Sequence, residues 1–144
     1  ALTGSIPTEI SAMNALKKLD LDNNLLANAI PSELGLIEEL EILDCHNNIL
    51  SGGIPSYLGS IKAFHSILLA FNDLTSSLPT ELGRLKQLEN MWLRNNMLIG
   101  RIPSEFGNMN NLRFLSIANN KLSGSVPLEF GNITMLEHLF LSNN

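Results

Sequence analysis

Residues 97–120 read MLIGRIPSEFGNMNNLRFLSIANN, and this frame recurs through the chain. Pro103 has counterparts at Pro7, Pro31, Pro55, Pro79 and Pro127, always 24 residues apart. Asn120 keeps the same beat with Asn24, Asn48, Asn72, Asn96 and Asn144. Two ladders locked to one period predict a solenoid of six coils: 1–24, 25–48, 49–72, 73–96, 97–120 and 121–144. In such a stack each unit buries its apolar face only against its neighbours. Solenoids present long surfaces and seldom an enclosed pocket, so recognition is expected rather than catalysis.

Numbering the positions of a coil from 1 to 24, positions 2, 6, 10, 13, 16, 19 and 21 are apolar in every coil. The stretch around positions 18 to 22 alternates: Leu19 and Leu21 are apolar, Lys18, Asp20 and Asp22 polar. That period of two predicts a short strand with one face in water, and stacking coils predicts a six-stranded parallel sheet. Pro at position 7 blocks a strand donor and presets a turn. Ser or Thr at position 8 suits an N-cap, and Glu at position 9 suits a helix start. Gly35, Gly59, Gly83, Gly107 and Gly131 at position 11 are expected to end that turn in the left-handed region. The Asn ladder is expected to be structural, because a buried carboxamide carries both donors and an acceptor for backbone groups left unpaired as the chain turns inward.

The pattern L-x-x-L-x-L-x-x-N-x-L, as from Leu112 to Leu122, resembles the leucine-rich repeat. The added run L-x-G-x-I-P-x-x-L-G, as from Leu98 to Gly107 with Phe106 at its last apolar site, resembles the plant-type subclass. Proteins of that kind are mainly ectodomains of receptor-like kinases and receptor-like proteins, with secreted enzyme inhibitors and algal relatives beside them. The resemblance implies an α/β-type solenoid, mostly strands and turns, wound as a right-handed superhelix. Its parallel sheet would line the concave face, and short turns or 3-10 helices the convex side. A second short sheet is implied near positions 3 to 6. The implied partners are a protein or peptide ligand and a co-receptor, with an extracellular or cell-surface setting and no cofactor. Two coils depart from Gly at position 4, with Asn28 and Ser76, and Asn tolerates the left-handed region.

With positions 19 and 21 inward, positions 18, 20 and 22 should face the concave solvent side. This places Asp20 and Asp44 at one end, then Leu68, Trp92, Phe114 and Phe140 as an apolar stripe. Phe71, at position 23 where the other coils have Asn, borders the stripe, and Arg94 lies two residues from Trp92. Exposed aromatics and arginine on a rigid sheet are typical binding anchors, so Trp92 is expected in solvent. The acidic residues Asp20, Asp22 and Asp44 read first as a solvated face, and otherwise as a site for a basic stretch of ligand.

The net charge of −5 comes from the second coil alone, through Glu33, Glu38, Glu39, Glu41 and Asp44. Without a basic cluster, nucleic acid is a poor partner. No apolar run approaches the ~18–20 residues of a membrane span. Neither end carries a capping segment, so the chain is expected to be an uncapped excerpt, with any signal peptide, membrane span or kinase domain outside it. Cys45 stands where other coils have Leu or Ile and reads as a small buried hydrophobe. His46, His65 and His138 are too dispersed for one metal or base site. Asn132-Ile133-Thr134 is the one glycosylation sequon.

These observations lead to a binding module of a receptor-like protein. A secreted inhibitor of an extracellular enzyme is the alternative. A cell-wall structural or ice-binding role fits less well, because ice adsorption needs flat ranks of small hydroxyl residues. Position 3 mixes Thr3, Ala27, Ser51, Thr75, Ile99 and Ser123.

Overall fold

The computed structural model describes all of residues 1–144. Six strands form one parallel sheet in coil order: Lys18–Asp20, Ile42–Asp44, Ser66–Leu68, Asn90–Trp92, Phe114–Ser116 and His138–Phe140. Their register advances by one whole coil, pairing Leu43 with Ile67 and Ile67 with Met91. Opposite this sheet run six 3-10 segments of five residues each, from Thr8–Ala12 to Leu128–Asn132. No helix is long and apolar enough to cross a membrane.

A second layer of short parallel strands lies after the Asn ladder. Thr3–Gly4, Leu25–Ala29, Ile49–Gly52 and Asp73–Leu74 form one group, and Ile99–Arg101 pairs with Lys121–Ser123. These strands occupy positions 1 to 5, slightly earlier than expected, because the backbone leaves the ladder at position 6 and enters the proline turn. A left-handed residue punctuates each of them at position 4. Gly4, Gly52, Gly100 and Gly124 have φ of 74–87°, and Asn28 and Ser76 take 68° and 67°.

The proline turn differs in two ways from expectation. Pro, not Ser or Thr, is the N-cap residue in every coil, and no side chain caps the segment. The Pro carbonyl instead accepts the first helical bond, as from Leu82 N–H to Pro79 O at 3.3 Å. In four coils the position-8 hydroxyl lies one residue inside and reaches the neighbouring Glu, as Thr8 does to Glu9. Nor does Gly at position 11 take a positive φ. Its role is close approach. A Cβ on Gly35 would lie 2.7 Å from the carbonyl oxygen of Tyr57 in the next coil, and Gly59, Gly83 and Gly107 meet Glu81, Glu105 and Glu129 more closely still.

The seven apolar ladders fill the interior. In coils two to five every ladder residue is buried except Ile102, which is half-buried. The end coils have a neighbour on one side only, and Leu2, Met13, Val126 and Leu139 are exposed there. Cys45 is fully buried in this core. Its thiol is pushed up to about 12 by burial first, then by the carboxylates of Asp44 and Asp20, which leaves it inert.

The ladder Asn residues tie successive coils together. Asn72 accepts from Leu50 N–H at 2.9 Å and shares its amide donors among Cys45 O, Leu69 O and Ala70 O at 3.0, 3.2 and 3.4 Å. Asn96 repeats the set one coil on, with Leu74, Leu69, Leu93 and Arg94. Asn24, Asn48, Asn120 and Asn144 accept from Leu2, Leu26, Leu98 and Leu122 in the same way. Asn48, Asn72 and Asn96 are buried, whereas Asn24 and Asn120 are half-buried and Asn144 is exposed.

Two substitutions probe these contacts by chemical denaturation. Asn96→Ala strands buried carbonyls and the Leu74 N–H, and is expected to cost about 1–3 kcal/mol. Gly83→Ala should cost about 1–3 kcal/mol by forcing coils four and five apart. An unchanged midpoint for either would contradict the packing described.

Candidate functional site

The concave sheet is built from residues whose side chains alternate about the strand. Leu19, Leu43, Ile67, Met91 and Leu115 point into the core, so their neighbours form the outer face. Parallel pairing in register puts Leu68, Trp92, Ser116 and Phe140 in one row. Phe114 stands in the adjacent row, two residues before Ser116.

The aromatic side chains pack on one another. The Phe114 ring lies 5.4 Å from the Trp92 ring and 5.3 Å from that of Phe140, tilted by 45° and 36°. His138 joins from the far side, 5.5 Å from Phe114. Such tilted pairs contribute beyond the area they bury. Phe114 bridges Trp92 and Phe140 because Ser116, the residue between them in the row, is too small to keep them apart.

This packing corrects the expectation that positions 18, 20 and 22 simply face solvent. Ala70, Ser116 and Ala118 are buried beneath larger neighbours, and Leu68, Trp92 and Phe114 are half-buried. Only Phe140 and Phe71 are openly exposed among the large apolar residues of the stripe. Trp92 in particular is not the solvated ring expected of it. Its indole Nε1 is enclosed and has no hydrogen-bond partner, an uncommon condition for a buried donor.

Beside the aromatic row lies a shallow pocket of about 240 Å³, lined by Trp92, Arg94, Phe114, Ser116, Ala118, Asn119, Phe140 and Ser142. Small-molecule sites usually enclose ~300–1,000 Å³, so this one suits a single side chain of a larger partner. Arg94 is exposed and stacks over Phe71, its guanidinium carbon 5.0 Å from the ring centroid. Thus the structure brings together Leu68, Trp92, Phe114, Phe140 and Arg94, with Phe71 attached through Arg94. Asn119, Ser142 and the small residues that floor the pocket escaped the sequence reading, because they matter only as neighbours of the aromatics.

Asp20 and Asp44 stand apart, at the first two coils. Lys18 Nζ lies 2.8 Å from Asp20 Oδ2, and this hydrogen bond holds the Asp20 carboxyl below its ordinary value. His46 Nδ1 lies 2.7 Å from Asp44 Oδ1, and its Nε2 3.5 Å from Asp22 Oδ2. Both carboxylates are therefore engaged with residues of their own coils rather than free. Asn132 ends the last 3-10 segment and is exposed on the side opposite the sheet.

The sole tryptophan reports this arrangement. Wild-type emission should lie at intermediate wavelength, and Phe114→Ala should red-shift it and increase quenching by acrylamide, with circular dichroism unchanged. An unmoved spectrum would contradict the stacked row.

The Leucine Rich Repeat family profile matches residues 15–37, 39–61, 87–109 and 111–133. Among solved structures, the chain is similar to the ectodomain of the Arabidopsis thaliana membrane receptor kinase GASSHO1/SCHENGEN3, in complex with CASPARIAN STRIP INTEGRITY FACTOR 2. They share 37% identity at a TM-score of 0.97, over 99% of this chain and 17% of that one. It is similar also to the Arabidopsis receptor kinase HAESA in complex with the peptide hormone IDA and the co-receptor SERK1. Identity there is 33% at a TM-score of 0.90, over 97% of this chain and 24% of that one. A plant ice-binding protein is 31% identical at a TM-score of 0.85, over 90% of this chain and 42% of that one. The chain thus spans about a fifth to two fifths of the length of these structures. No curated protein matches it. Six-fold repetition, a concave parallel sheet and the family profile agree: the chain belongs to the leucine-rich-repeat family, in its plant-type form.

Proposed function

We propose that the concave face of coils three to six binds an extended peptide or protein segment, as part of the ectodomain of a cell-surface receptor-like protein. The pocket takes one large apolar side chain, walled by Trp92, Phe114 and Phe140, while Leu68, Phe71 and Arg94 contact the flanking residues. Asp20 and Asp44 form the far end of the surface, where Lys18 and His46 already lie against them. Nothing is transformed in this reading. Signalling would be carried by other segments of the whole protein and by a co-receptor.

The aromatic row carries the proposal. Large apolar residues on a repeating scaffold need no such clustering to fold, since the core is filled by the seven ladders. Three aromatic rings within stacking distance on a rigid sheet offer contact area at little entropic cost, and such residues dominate binding energies. The peptide-bound structures of similar receptor ectodomains support the same reading.

The similar ice-binding protein brings a second reading to mind. It requires a regular polar rank, and Ile99 and Arg101 stand where the coils on either side have Thr75 and Ser123, and Ser77 and Ser125. A secreted inhibitor would use the same concave face on a folded enzyme rather than a peptide.

The test is capture from a displayed library of random peptides by the immobilised chain. Wild-type protein should select sequences carrying a large apolar residue, and Trp92→Ala should abolish that capture while circular dichroism is unchanged. Undiminished capture by Trp92→Ala would overturn the proposal.

A further inference from the structure

The 3-10 wall opposite the sheet carries its own departures from the repeat. Position 9 is Glu in five coils and Tyr57 in the third. Position 12 is Ala, Ser, Arg or Asn in five coils and Leu36 in the second. Both residues stand outside the seven ladders that fill the core, and both are largely exposed, Leu36 at 56% and Tyr57 at 60%. Neighbouring coils bring them together. Gly35 lies against the backbone of Tyr57, closer than a Cβ would allow. The Ser60 hydroxyl, 2.6 Å from Tyr57 O and 3.1 Å from Gly35 O, ties the two segments. Leu36 and Tyr57 wall an open cleft of about 310 Å³, which Ser32 and Glu33 complete. Single exposed apolar residues are ordinary on a protein surface. Two of them in adjacent coils, each where other coils are polar or small and both on one cleft, leave apolar area that folding does not use.

Charge decides what that cleft can take. Positions 7 to 15 of coils one to three hold four carboxylates, Glu9, Glu33, Glu38 and Glu39, against one cation, Lys62. None of the four carboxylates belongs to an ion pair. Glu33 lines the cleft, and Glu38 and Glu39 follow Leu36 by two and three residues. The complementary segment therefore has an apolar side chain with Lys or Arg on either side. A second copy of this chain cannot supply one. Its adjacent lysines, Lys17 and Lys18, are paired with Glu41 and Asp20, and Leu85 between Arg84 and Lys86 is fully buried. Anionic lipid and nucleic acid are repelled by the same carboxylates.

We propose that the cleft between Leu36 and Tyr57 is a second binding surface, for a basic segment of another protein. One large apolar side chain enters between Leu36 and Tyr57, and flanking Lys or Arg residues meet Glu33, Glu38 and Glu39. Exposed carboxylates steer approach and are screened by salt, so the apolar side chain carries the discrimination. This surface lies on the wall opposite the aromatic row and is independent of the peptide-binding reading of the concave face. Both faces can be occupied at once.

The probes are a fluorescent peptide with Phe between two lysines on either side, and its counterpart with Ser in place of Phe, titrated by anisotropy. The wild-type chain should bind the Phe peptide about tenfold more tightly than the Ser peptide. Tyr57→Glu gives coil three the residue that the other five coils carry, so circular dichroism should be unchanged while the surface becomes more acidic. Attraction by charge alone would then rise, whereas the cleft loses a wall, and the preference for Phe should fall to near parity. Leu36→Ser should do the same, and Tyr57→Phe should keep the preference. Glu33→Gln combined with Glu38→Gln should weaken both peptides several-fold and flatten their salt dependence. Trp92→Ala should alter neither affinity. A preference for Phe that survives in Tyr57→Glu, is lost in Trp92→Ala or is absent from the wild-type chain would overturn the proposal. So would sedimentation showing a wild-type dimer that Tyr57→Glu dissociates, since a second copy would then occupy the cleft.

Discussion

The buried asparagine at the end of each coil is the interaction on which the rest of the structure depends. At that point the chain leaves the concave strand and must turn across the top of the core, where backbone groups have no strand partner. One carboxamide satisfies them, taking a backbone N–H on its oxygen and dividing two donors among carbonyls of its own and the preceding coil. Because the bonds cross from coil to coil, the same group that completes one turn fixes the spacing of the next. A side chain of another shape at Asn72 or Asn96 leaves polar atoms in an apolar interior, a far larger penalty than the net value of the bonds themselves.

The convex side is held to the same spacing by an opposite device, the absence of a side chain. Gly59 and Gly83 lie so close to the backbone of Glu81 and Glu105 that no Cβ can be placed between them. Proline starts each of these segments with its ring presetting φ and its carbonyl accepting the first bond. Apolar ladders such as Leu34, Leu58, Leu82 and Phe106 then fill the volume between the two walls. Stability comes from this repetition, with each coil contributing an interface to its neighbours.

A scaffold maintained by ladder positions leaves the outward positions of the concave strands free to vary, and there the chain becomes irregular. Ser116 and Ala118 are small enough for Phe114 to lie between Trp92 and Phe140, and both small residues are buried beneath their neighbours. Phe71 breaks a rule that the other five coils obey, in a backbone conformation suited to Asn. Individuality in this protein is written as departures from the repeat, and on the concave side the departures gather in coils three to six.

Period, solenoid architecture, inward ladders and the plant-type repeat were legible in the residues alone, because a pattern recurring at each Pro and each Asn admits few other folds. So was the membership of Leu68, Trp92, Phe114 and Phe140 in one stripe, since strand alternation assigns faces without knowledge of neighbours. The role of Gly83 was not, because close approach between coils depends on the distance between chains and leaves no trace in local preference. Nor was the half-burial of Trp92, or the stacking of Arg94 on Phe71. Side chains on one face of a sheet choose their orientations by the size of residues a full coil away, and only the assembled stack determines which ring has room to lie down.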